Sequence, residues 1–185
     1  MFHIWKGATT NLFCIFCICL AKVEHNYYWR QYRGKIPLDA FNAAENLYVA
    51  QLINQWLMPG TFNATTKEAY SEQGSRLTVT DNFKILCDFH SDNFYWEKVN
   101  IYDLVGSNLN DLVVGGSEFG ATLYVGKVFH DGEWKIGKVF APLHLLQGLR
   151  VWDDKNQRHV AQNFEVLKYR ERHKIEDICN CNCAK

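Results

Sequence analysis

The chain has 185 residues, 22% charged and 48% hydrophobic, with 20 Lys and Arg against 20 Asp and Glu. That length holds one domain or two small fused units around a core, which a 15% aromatic share helps to fill. Zero formal net charge excludes a phosphate-backbone binder, which needs surplus cations to displace counterions, so no nucleic-acid partner is expected.

Lys6 precedes the apolar run LFCIFCICLA (residues 12–21), and the polar KVEHN follows. A basic start, a short apolar stretch and a small residue at the cut form the layout of a secretory signal, with cleavage expected after Ala21. Ten apolar residues rise only about 15 Å as a helix, half a bilayer core, so no membrane span is expected in the mature chain. Cys14, Cys17 and Cys19 leave with the signal, and Cys87, Cys179, Cys181 and Cys183 remain. An even count in an exported chain fits two disulfides with three pairings, to Cys87 or between chains. The tail CNCNCAK thus offers a covalent route to a homodimer. It lacks the two-residue gaps of zinc knuckles, so no metal is assigned to it.

Beyond residue 26 short β-branched and aromatic runs dominate: LYVAQLI, RLTVT, FKILCDF, LYVGKVF, WKIGKVF and FEVLKY. Gly, Asn, Asp or Pro punctuates most of them, the pattern of antiparallel strands. DAFNAAENLYVAQLINQWL (residues 39–57) carries Ala, Leu and Gln and looks helical. Comparison of the chain with itself sets that aside. Trp29 is answered by Trp96, Leu47-Tyr48-Val49 by Leu123-Tyr124-Val125, Gly60-Thr61 by Gly137-Lys138, and Phe83 by Phe164. Four matches in preserved order, with offsets rising from 67 to 81, indicate an internal repeat. LYVAQLI is then a strand like LYVGKVF. The expected fold is all-β: two tandem antiparallel β repeats related by pseudo-twofold symmetry and sharing a core, since about 70 residues barely bury one alone. The expected organisation is a signal at 1–21, repeats at 22–92 and 93–170, and a Cys-rich tail at 171–185. Pro59-Gly60 reads as a turn, with the acceptor sequon Asn63-Ala64-Thr65 just after it. Asp131-Gly132 reads as a hairpin turn.

The first copy keeps YW, GKIP at residues 34–37, LYV, PG and FKIL. The second keeps GG at 115–116, LYVGK at 123–127, GK at 137–138 and HVAQNFEVL at 159–167. In this order the motifs resemble the DM-nine repeat family of insects and molluscs, usually tandem pairs. The resemblance implies a mannose-binding, lectin-like protein acting in pattern recognition; in the absence of catalytic or cofactor motifs no enzyme activity and no cofactor are expected. It implies that sugar is held by an Asp after the glycines, a position where this chain has a Glu one methylene longer, and by the Lys of the Pro-Gly-Lys turn. In the second copy these are Glu118 and Lys138. A carboxylate accepting from vicinal hydroxyls and an ammonium donating to them suit a neutral polyol. A gap of about 4–7 Å across an open groove would leave room for hydroxyls bonded to both at roughly 3 Å. In the first copy the segment between Ala44 and Leu47 is four residues shorter, with Glu45 or Asn46 near the acidic position. Thr61 replaces the Lys, and Leu77 stands where the second copy has His159. The sugar site is therefore expected at best in the second copy.

Other residues invite simpler readings. Trp29 and Trp96 are expected in the core, His159 buried on a backbone carbonyl, and Asp153-Asp154 in a polar turn. Trp56 or Trp134 is a candidate aromatic face at a site. A competing reading is a structural or protein-interaction module that has lost sugar binding. No G-x-S-x-G elbow, phosphate-cradling loop or dinucleotide fingerprint supports catalysis.

Overall fold

The computed structural model describes residues 26–104, 107–140 and 148–170. The signal, its cleavage site and the Cys-rich tail lie outside them. Among the described residues the chain is all-β, with two one-turn 3-10 helices at Ser91–Asn93 and Ile101–Leu104.

Fourteen strands pair antiparallel, seven in each half of the described chain. The first set is β1 (Tyr28–Gln31), β2 (Asn42–Ala44), β3 (Leu47–Ile53), β4 (Leu57–Asn63), β5 (Glu68–Gln73), β6 (Ser75–Val79) and β7 (Phe83–Cys87). The second is β8 (Phe94–Asn100), β9 (Val114–Glu118), β10 (Ala121–His130), β11 (Glu133–Phe140), β12 (Leu149–Trp152), β13 (Arg158–Ala161) and β14 (Asn163–Tyr169). β3 pairs with β2, β4 and β7, and β10 with β9, β11 and β14. β1 joins β7 as β8 joins β14. β5 bridges β4 and β6 as β12 bridges β11 and β13.

The rungs agree residue by residue. Trp29 faces Leu86 and Trp96 faces Leu167. Ala50 lies between Gly60 and Ile85, and Gly126 between Gly137 and Val166. LYVAQLI is a strand despite its helical composition, because it is the middle of a sheet whose neighbours cover Val49, Ala50 and Leu52 completely.

Pro59-Gly60 is not a turn. It lies inside β4, and the turn to it from β3 falls at residues 54–56. The reason is a close approach: a Cβ on Gly60 would sit 2.0 Å from the Tyr70 carbonyl oxygen of β5. Asp131 (φ 52) and Gly132 (φ 79) do form the β10–β11 turn, both in the left-handed region that a tight two-residue hairpin requires.

The two sets share an interior. One apolar cluster joins Phe41, Val49 and Leu86 to Phe94, Val113, Val125 and Leu167, with Trp29 and Trp96 packed against it. At the seam Leu57 pairs with Ser117, and a Cβ on Gly116 would meet the Leu57 carbonyl oxygen at 2.0 Å, so β9 reaches β4 only with glycine there. Hydrogen bonds cross the seam in matching fashion: Gln51 Nε2 donates to the Gly115 carbonyl at 2.8 Å, and Lys127 Nζ to the Ala43 carbonyl at 3.5 Å. Thr61 Oγ1 both accepts from the Ile136 N–H at 2.7 Å and donates to its carbonyl at 3.1 Å.

Candidate functional site

Lys138 sits in β11 between Val125 and Arg150. Glu118 ends β9 on a hairpin extension of two rungs, Glu118 with Ala121 and Ser117 with Thr122, turned by the positive-φ pair Phe119 and Gly120. The corresponding first-set hairpin closes at once, from Ala44 to Leu47. The four missing residues are those two rungs. Hence the first set has no position equivalent to Glu118.

Across 20 residues of chain, Lys138 Nζ donates to Glu118 Oε2 at 2.6 Å. It also lies 3.3 Å from Glu72 Oε2, a carboxylate supplied by β5 of the first set. Lys138 and Glu72 are 0% exposed and Glu118 5%. The pair is thus in direct contact and enclosed, closer than a bridged hydroxyl would allow. Arg158 Nε donates to Glu72 Oε1 at 2.7 Å, and the Gly74 N–H reaches the same oxygen. Arg150 completes the cluster, its guanidinium carbon 4.1 Å above the Phe140 ring.

Two carboxylates therefore face three cations. Burial alone would raise the Glu72 carboxyl, but Arg158, Lys138 and the Gly74 N–H outweigh it and hold the group below its ordinary range. Burial and repulsion by Arg158 lower Arg150, against the pull of Glu72 and Glu118. The cluster encloses Lys138, Glu72, Glu118 and Arg150, with Arg158 closing it from the exposed side. It is the arrangement in which deleting one member strands another.

The first-set counterpart differs at three of four positions and keeps only the arginine. By register Thr61 stands for Lys138, Tyr70 for Arg150, Trp152 for Glu72 and Arg76 for Arg158. These residues line an open cleft of about 440 Å³ with Asn63 and Trp134. Trp134 also borders a second groove of about 510 Å³ beside Lys127, whose ammonium lies 4.4 Å from the Trp96 ring and 4.8 Å from the Trp134 ring. Trp134 thus lines both hollows, whereas Trp56 packs on Phe119 with ring centroids 4.8 Å apart.

His159 is half-buried and stacks on His130 at 3.7 Å instead of burying itself on a carbonyl. Burial and the facing His130 lower its affinity for a proton. Asp153 Oδ1 accepts from the Lys155 and Gln157 N–H groups, so the Asp pair forms the expected polar turn. Cys87, expected in a disulfide, is a free thiol at 0% exposure, and burial together with nearby Asp39 pushes it up to about 12. Its expected partners Cys179, Cys181 and Cys183 lie outside the described residues. Among the described residues no group of three or more His, Cys, Asp or Glu side chains is placed to hold a metal, and no helix is long and apolar enough to cross a membrane.

Glu72, Arg150 and Arg158 were missed from the sequence. Glu72 is 66 positions from Lys138 and no local motif marks it; the one available signal was a polar stretch, EAYSEQ, in an otherwise apolar β pattern.

Fold and cluster define a class: an all-β protein of two similarly paired seven-strand sets, with a buried ion cluster at their junction. Residues 39–148 match the model of the DM9 repeat, and the chain belongs to that family. Comparison with curated proteins gives no match.

Proposed function

We propose that this is a secreted, lectin-like protein that binds mannose-type glycans through Glu118 and Lys138. The two seven-strand sets are read as copies of one unit about a pseudo-twofold axis. The observation that carries the reading is the convergence of Glu118 and Lys138 to 2.6 Å at the two positions the family resemblance assigns to sugar. A buried ion pair contributes little net stability against an apolar replacement, so its presence here calls for another reason. Binding requires that Glu118 leave the ammonium and that sugar hydroxyls enter between them. The two-rung extension that carries Glu118 is the part suited to swing, since its turn residue Phe119 is 76% exposed.

A glycan array on the folded protein tests this, with Glu118→Gln as a near-isosteric control and Lys138→Ala beside it. Mannose-type binding that falls at least tenfold with Glu118→Gln is expected. No binding by the wild type, or binding indifferent to both substitutions, sinks the proposal. A second reading, a protein-interaction module without a sugar site, is favoured by the complete enclosure of Lys138 and Glu72 and by Thr61 in the first set. A protein ligand whose binding survives both substitutions would establish it.

A further inference from the structure

The sequon Asn63-Ala64-Thr65 takes no part in the ion cluster, yet its asparagine lies at the wall of the first-set cleft. Asn63 is the last residue of β4, paired with Leu47 and Glu68, and the turn after it runs over exposed Thr65, Thr66 and Lys67. Asn63 Oδ1 accepts from the Thr65 N–H at 2.8 Å and from the Thr66 N–H at 3.3 Å. Two backbone donors need an acceptor, which fixes which end of the amide is oxygen. The nitrogen, Nδ2, is then held on the other side of the amide from the loop.

The cleft suits a sugar. Its volume of about 440 Å³ falls within the ordinary range of small-ligand sites, about 300 to 1,000 Å³. Half-buried Trp134 offers a ring face to the C–H side of a pyranose, while exposed Glu45 and Arg76 at the rim offer charged partners for hydroxyls. No lysine occupies its centre, because Thr61 stands there and is already bonded to Ile136.

We propose that Asn63 carries an N-linked glycan whose first N-acetylhexosamine units lie in this cleft. The donor is a lipid-pyrophosphate-linked oligosaccharide. A bond forms from Nδ2 to the anomeric carbon as the C–O bond to the pyrophosphate breaks; the lipid pyrophosphate leaves with that electron pair, and Nδ2 loses one proton. The inference rests on the secretory part of the function proposed above, not on sugar binding at Glu118. The first-set cleft is then filled by the protein's own glycan, and only the second set is left to face a ligand.

The test is peptide mapping of the full chain made in glycosylation-competent eukaryotic cells, with its own N-terminus and separately with a heterologous leader added ahead of it. Glycan at Asn63 in both preparations, abolished by Thr65→Ala, is the expected result. Asn63 unmodified in the leader-driven protein overturns the site. Glycan only with the added leader leaves the site standing and refutes secretion by the natural N-terminus. For the seat in the cleft, acrylamide quenching of tryptophan fluorescence is compared between the glycoprotein and Thr65→Ala. Quenching that rises without the glycan, with the rise lost on a Trp134→Phe background, supports it; unchanged quenching shows a glycan pointing into solvent and overturns the seat.

Discussion

Removing the Lys138 ammonium strands a carboxylate, and the size of that effect follows from its neighbours. In Lys138→Met the apolar stem is kept and the charge lost. Glu72 retains Arg158 at 2.7 Å and the Gly74 N–H, so it stays compensated. Glu118 loses its 2.6 Å partner while only 5% exposed. Breaking a buried pair from one side costs about 3–5 kcal/mol, and with one of two carboxylates stranded the lower end, about 3 kcal/mol, applies. For a chain of this size that lowers Tm by roughly 6–12 °C. Glu118→Gln leaves Lys138 with Glu72 at 3.3 Å and costs less, about 2 kcal/mol. In the double variant neither charge is stranded, and its loss is expected near that of the worse single, a coupling of about 2 kcal/mol. Urea unfolding at pH 7, with midpoints compared at equal slope, reads all three. A loss under about 1 kcal/mol in Lys138→Met, or additivity in the double to within about 0.5 kcal/mol, would refute the view that these side chains depend on one another.

Glu72 titrates below its ordinary value of 4.5 in the folded protein, so its contribution is fully present above that pH and is lost as pH falls through the folded value. Urea midpoints from pH 7 to pH 3 should therefore fall more steeply in the wild type than in Glu72→Gln; parallel curves would contradict the ion-pair account. Gly60→Ala places a Cβ 2.0 Å from the Tyr70 carbonyl oxygen, backbone that cannot rotate away, and should cost about 3 kcal/mol or prevent folding, as judged by circular dichroism and yield. Cys87 should resist alkylation at pH 8 in the native state and react once urea unfolds the chain, read by peptide mass spectrometry. Prompt native labelling at Cys87 would show the sheet opening locally around β7.

The strands that were legible are those whose side chains alone explain their burial. LYVGKVF and WKIGKVF, turned by Asp131-Gly132, form β10 and β11, and LYVAQLI is β3. β5 was illegible because two of its three buried side chains are polar: Ser71 donates to the Pro59 carbonyl at 2.9 Å and Glu72 is ion-paired, so both are enclosed without being apolar. Pro59-Gly60 misled for a related reason. Turn chemistry and close strand packing both call for glycine, and only the position of the Tyr70 carbonyl decides between them. Of the cluster, Glu118 and Lys138 were singled out in the sequence, while Arg150, Arg158 and the member arriving from the first set, Glu72, were not. A contact across 66 residues leaves no periodicity to read.

The differences between the two clefts are coupled physically. Where the second set has Lys138, Arg150 and Arg158 around Glu118 and the incoming Glu72, the first has Thr61, Tyr70 and Arg76 with the incoming Trp152 and no hairpin extension. A carboxylate at the Trp152 position would have no lysine beside it at Thr61, and a lysine at Thr61 would have no carboxylate from either direction. Each half of a buried pair is costly without the other, so loss of one member removes the advantage of keeping the rest. Only Arg76 remains, exposed like Arg158 but with its guanidinium 4.9 Å from the Tyr70 ring instead of on a carboxylate. One cleft is open, with aromatic residues and no ion pair at its centre, while the other is closed by its own counterions. A ligand enters the first without displacing a central ion pair, but at the second it must replace one of 2.6 Å. Whatever the two clefts hold, they are not two copies of one site, and bivalent capture by two equivalent sites is not available to this chain.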